Sequence, residues 1–174
     1  MEHMLGMVFW VLLGSLAGSV SFAAPSYPSA IYGDDGRRDL HEVTHRPSQL
    51  AAAASVALFQ RENLRRTKSG LLRVEGKTYG EEQGLCRGER FFDQPAGAFC
   101  SGVVVGPELV LTAAHCLSSA RCEDLRLAFG YAKLSESHEP RELLPEDVLE
   151  CREILRFKTK LDFALIRTSG RAPE

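Results

Sequence analysis

His115 is the residue whose setting in this chain most directly permits chemistry. It lies in Ala113-Ala114-His115-Cys116, a short turn that follows two strand-like runs, Ala98 to Val105 and Glu108 to Thr112, and Cys116 stands sixteen positions after Cys100 (116 − 100). General acid–base work needs an imidazole fixed within hydrogen-bond reach of the proton it moves, and a turn at the end of a sheet is a suitable mount.

The string Phe99-Cys100-Ser101-Gly102 through Thr112-Ala113-Ala114-His115-Cys116 resembles the histidine segment of trypsin-like (chymotrypsin-fold) serine proteases, with CSG, LTAAHC and both cysteines in that family's order. The resemblance implies a catalytic role for His115. It also implies a buried carboxylate that fixes the imidazole's tautomer and stabilises the imidazolium formed during catalysis. Asp162 is the candidate, forty-seven residues after the histidine (162 − 115) in Leu161-Asp162-Phe163-Ala164-Leu165-Ile166, similar to the family's Asp-x-Ala-Leu strand.

In such enzymes the order is His, Asp, Ser, with the nucleophile roughly ninety residues beyond the Asp. Only twelve residues follow Asp162 here (174 − 162), and none forms a Gly-Asp-Ser-Gly segment. The nucleophile is therefore expected to be missing, together with the oxyanion-hole amides and the primary specificity pocket. His and Asp alone retain little catalysis once those partners are gone. By itself the chain is expected to be inactive.

Around these residues, short strand-like runs recur at Val56 to Phe59, Leu71 to Val74, Ala98 to Val105, Glu108 to Thr112, Leu125 to Tyr131, Val148 to Phe157 and Phe163 to Arg167, punctuated by glycines and Gly106-Pro107. That rhythm predicts an antiparallel all-β sheet or barrel rather than a βαβ wind. The resemblance sharpens it to a chymotrypsin-like six-stranded barrel, the first of the usual two, with the second absent. Ala51 to Arg66 also reads as one helix, because alanine runs favour helix locally.

The composition, with 44% hydrophobic and 25% charged residues and a formal net charge of −2, fits a small exported globular protein and gives no basis for nucleic-acid binding. The apolar stretch Met4 to Val20 and Ser21-Phe22-Ala23 predict a signal peptide over 1–23, cleaved after Ala23. No Lys or Arg precedes the apolar core, so an uncleaved anchor is the alternative. Residues 24–50, rich in Pro, Ser, Gly and charge, read as an extended lead-in or pro-segment. The barrel then spans 51–174. The expected location is secreted or periplasmic, with no membrane association after signal cleavage.

Five cysteines in an exported chain point to disulfides. The resemblance implies Cys100 with Cys116. Cys122 with Cys151 is put forward as a second bridge among many connectivities, leaving Cys86 for an intermolecular bond or a partner in a longer chain. A zinc site from Cys100, His115, Cys116 and Cys122 is the alternative use, although a closed knuckle normally has tighter paired spacing.

One further motif, His41-Glu42-Val43-Thr44-His45, fits H-E-x-x-H, in which two histidines on one helical face bind zinc and the glutamate acts as base. Its context is poor. Val43 and Thr44 are β-branched, Pro47 interrupts any continuing helix, and Ser48 stands where the extended motif has Gly.

Three functions follow. The first is a serine-type endopeptidase by resemblance, acting on a protein or peptide substrate if completed by a second barrel and needing no cofactor. The second is a non-catalytic, protease-like binding module. The third is a zinc-dependent hydrolase through His41, Glu42 and His45.

Overall fold

The computed structural model describes residues 35–138 and 140–173. The predicted signal segment 1–23 and the first part of the lead-in lie outside them. The chain divides into two units, Met1–Gly36 and Arg37–Glu174, and the second contains the elements that follow.

Six strands close into an antiparallel barrel: β1 (Ser55–Gln60), β4 (Cys100–Gly106), β5 (Leu109–Thr112), β6 (Leu125–Phe129), β8 (Val148–Lys158) and β9 (Phe163–Thr168). Their order around the barrel is β1-β4-β5-β9-β8-β6. This is the chymotrypsin-like barrel expected from the sequence. Alternation builds it: along β9, Ala164, Ile166 and Thr168 point inward while Phe163, Leu165 and Arg167 point out, the period-2 pattern of a half-buried strand. Val56, Leu58, Val110, Leu125, Leu127 and Ile166, each at most 1% exposed, fill the interior. Burial of side chains of this size stabilises by about 1.5–3 kcal/mol apiece.

The connection from β1 to β4 carries β2 (Leu64–Arg66), β3 (Leu72–Val74) and the short helix α2 (Tyr79–Gln83). With β7 (Glu142–Leu143), β2 and β3 form a second sheet in the order β2-β3-β7. Phe59, Val74, Ala128 and Leu143 make a second apolar cluster, and Tyr131 meets Phe59 edge-on at 5.1 Å between ring centroids. Helix α2 starts on a reciprocal cap: the Glu81 N–H donates to Thr78 Oγ1 at 3.2 Å and the Thr78 N–H to Glu81 Oε2 at 3.0 Å.

The lead-in is not extended throughout. A turn at Leu40–Glu42 and helix α1 (Arg46–Ala53) occupy it, the His41 N–H donates to the Lys133 carbonyl at 3.2 Å, and Gln94 Nε2 donates to Asp39. Pro47 sits in the first turn of α1, where its missing N–H leaves nothing unpaired. The alanine run therefore does form helix, but only to Ala53, and Ser55 to Gln60, with Val56, Leu58 and Phe59 buried, continues as strand. Among the described residues no helix is long and apolar enough to cross a membrane.

Candidate active site

Strand register sets the site. Thr112 at the end of β5 is paired with Ala164 near the start of β9, so two further steps along the antiparallel pair bring Ala114 opposite Asp162. Beyond Thr112 the chain stays extended at Ala113 and then tightens into a 3₁₀ turn, Ala114–Leu117, that carries His115. Three contacts hold this turn. Cys116 is disulfide-bonded to Cys100 on β4, with the Cα atoms 6.0 Å apart. Thr112 Oγ1 donates to the Ser101 carbonyl at 2.7 Å, and Ser118 Oγ donates to the His115 carbonyl at 2.8 Å.

Asp162, the residue just before β9, closes the arrangement. It follows the turn Thr159–Leu161 in the left-handed region, at φ 48° and ψ 49°, a conformation that aspartate tolerates better than most residues but that still stores strain. Its carboxylate grips one residue twice, accepting the His115 backbone N–H on Oδ1 at 2.9 Å and meeting His115 Nδ1 with Oδ2 at 2.8 Å. An ionised carboxylate only accepts, so the proton on this contact belongs to Nδ1. Nε2 is then left as the acceptor, and among the described residues it has no hydrogen-bond partner.

The backbone N–H of His115 is the first cause holding the Asp162 carboxyl below the usual carboxylate range, followed by the hydrogen bond from the His115 ring; burial opposes them weakly, and the ring's charge and the Ala114 N–H add to the lowering. Asp162 thus acts as an anionic cap on the N-terminal end of the 3₁₀ turn and as the anchor of the ring. Contrary to the buried carboxylate expected, the pair is open to solvent: the His115 side chain is 70% and that of Asp162 53% exposed. The site lies on the barrel's surface, and no described residue packs over it.

Cys122 is bonded to Cys151, with the Cα atoms 5.2 Å apart, joining the turn before β6 to β8. Cys86 is an exposed free thiol. Cys100, His115 and Cys116 do bring possible metal-ligating atoms within 4.8 Å of one another, but both sulfurs are spent in one disulfide and offer no thiolate. The zinc alternative for these residues is thereby corrected.

The H-E-x-x-H residues do not share a helical face either. His41 and Glu42 lie in the turn Leu40–Glu42, whereas His45 precedes α1. Each has its own contact: His41 Nδ1 with the Lys133 carbonyl at 3.4 Å, Glu42 with Arg90 at 3.1 Å, His45 Nδ1 with Ser48 Oγ at 3.0 Å. Ser118, Thr112 and the Ala114 N–H are the supporting groups that sequence reasoning missed. Only the short polar residue just after the histidine turn hinted at any of them.

The trypsin family profile matches residues 74–173 of the chain. Among solved structures, the VesB protease of Vibrio cholerae matches with 20% sequence identity and a TM-score of 0.39, over 69% of this chain and 28% of that one. The chain thus spans less than a third of that protein's length. No curated protein sequence matches the chain.

Proposed function

Because the chain belongs to the trypsin family, we propose that His115 and Asp162 are the general-base pair of a serine-type endopeptidase, and that the nucleophile they serve lies outside these residues. One observation carries this reading: the double contact of a single carboxylate with the backbone N–H and Nδ1 of His115.

With Nδ1–H held by Asp162, Nε2 can remove a proton from a hydroxyl and return it to a leaving amine. The carboxylate stays ionised and stabilises the imidazolium formed between the two transfers. The substrate is a protein or peptide, and the compartment is extracellular or periplasmic, which the two disulfides support.

An activity-based fluorophosphonate probe tests the assignment. The folded chain is expected to remain unlabelled, because among the described residues no serine is hydrogen-bonded to Nε2. Labelling of any serine in these 174 residues, abolished by His115→Ala, would overturn the placement of the nucleophile.

A further inference from the structure

Strand β2 is an outer strand of the second sheet, and among the described residues half of its backbone polar groups have no partner. The Thr67 N–H donates to the Leu71 carbonyl and the Glu75 N–H to the Asn63 carbonyl, at 2.8 and 2.9 Å, flanking the Arg65–Arg73 pair. By antiparallel alternation the polar groups of Arg65 face β3, and those of Arg66 with the Leu64 carbonyl face outward. The Leu64 N–H turns back to the Arg61 carbonyl. The free edge therefore offers one donor and two acceptors.

The side chains along that edge are cationic. Arg65, Arg73 and Glu142 form one cross-strand row. Arg73 is neutralised by Glu142 at 2.9 Å, while Arg65 has no acidic partner among the described residues. Like charges directly opposite each other in a sheet are destabilising. From Arg61 to Arg73 there are five basic residues, Arg61, Arg65, Arg66, Lys68 and Arg73, against the single acid Glu62, in a chain whose net charge is −2. On the opposite face Leu64 and Leu72 pack on the second cluster, with the exposed Arg66 beside Leu72. A cavity of about 760 Å³ runs beside β2 and is lined by both signs of charge, Arg61, Arg65 and Arg121 with Glu62, Glu75 and Asp124.

We propose that β2 is a docking edge for an extended segment of a partner protein in which acidic and apolar residues alternate, added as a further strand with an acidic side chain over Arg65. Main-chain pairing supplies affinity in this mode and alternate side chains supply selectivity. The same arginines repel a second copy of β2, as charges on edge strands commonly do, so the edge selects an acidic partner over itself. This surface is distinct from the His115–Asp162 site and does not depend on the peptidase reading.

The probe is a fluorescein-labelled peptide of alternating Glu and Val, titrated with the full chain by anisotropy at about 50 and about 300 mM NaCl. Saturable binding that weakens with salt is expected. Arg65→Glu should weaken it about tenfold or more, whereas Arg152→Glu, on β8 of the barrel, should bind like the parent. The same peptide with alternate amides N-methylated keeps its charge and should also lose about tenfold. Absence of binding, equal binding of a Lys-Val peptide, or undiminished binding of the N-methylated peptide would each overturn the proposal, the last by reducing it to a plain polyanion contact. Should Arg65→Glu fail to fold, the peptide arms decide alone.

Discussion

Gly102 passes so close to Leu111 that a Cβ on it would lie 2.9 Å from the Leu111 carbonyl oxygen and 2.8 Å from Val110 Cγ1. The glycine of the Cys-Ser-Gly string is thus a packing requirement between β4 and β5, the two strands that lead to the histidine turn. Neither neighbour can yield, since one is backbone and the other is buried in the barrel. Gly102→Ala is expected to cost about 1–3 kcal/mol, measured as a lower midpoint of thermal or urea unfolding. An unchanged midpoint would contradict this account of the residue.

The Cys100–Cys116 bridge closes a loop of sixteen residues, for which loss of loop-closure entropy predicts about 3 kcal/mol. Replacing both cysteines by alanine should lower the urea midpoint by a corresponding amount and loosen the turn that holds His115. Hydrogen exchange at the amides of residues 114–117 should accelerate more than in the rest of the barrel.

Asp162 makes stability depend on pH in a defined direction. Its folded pKa is lowered, chiefly by the His115 N–H, so its contribution is present above the unfolded value of about 3.9. It is lost as pH falls through the folded value, where the carboxyl takes up a proton. The difference in melting temperature between the parent and Asp162→Asn is therefore expected to shrink as pH falls below the usual carboxylate value of about 3.9 and to vanish in strong acid. A difference that persists undiminished in strong acid would refute the pairing.

The outward row Val103, Leu111, Leu165 runs across β4, β5 and β9, with Val103 41% and Val105 52% exposed. A contiguous apolar stripe of this kind favours association. Sedimentation of the chain should show concentration-dependent self-association, reduced by Val103→Lys with Val105→Lys. A stable monomer at high concentration would contradict it.

Much of this architecture could be read from residue order. The strand-like run Phe163 to Arg167 and the apolar runs around Gly106-Pro107 located β9, β4 and β5, because one face of each had to be buried. Strands β2 and β7 escaped notice, since Leu64-Arg65-Arg66 and Glu142-Leu143 are too short and too charged to show a period, and β7 pairs with β3 from a distant part of the sequence. Helix α1 competed with strand in the same stretch, and it ends at Ala53 where Val56, Leu58 and Phe59 are buried as part of β1. For the site, residue types and order pointed to His115 and Asp162, but nothing in a spacing of forty-seven shows that the register of β5 with β9 brings them together. Nor does it show that Asp162 takes a left-handed backbone to reach the His115 N–H. Solvent exposure of the pair was likewise illegible, because it depends on what packs over the site rather than on the residues themselves.

The most direct test is nitrogen-15 NMR of the histidine rings in the folded chain. In neutral His115 the proton is expected on Nδ1, with a downfield resonance from its hydrogen bond to Asp162, and Asp162→Ala should move the ring toward the Nε2–H tautomer while the barrel stays folded. A ring that carries its proton on Nε2 in the parent, and does not respond to Asp162→Ala, would contradict the pairing at the centre of this account.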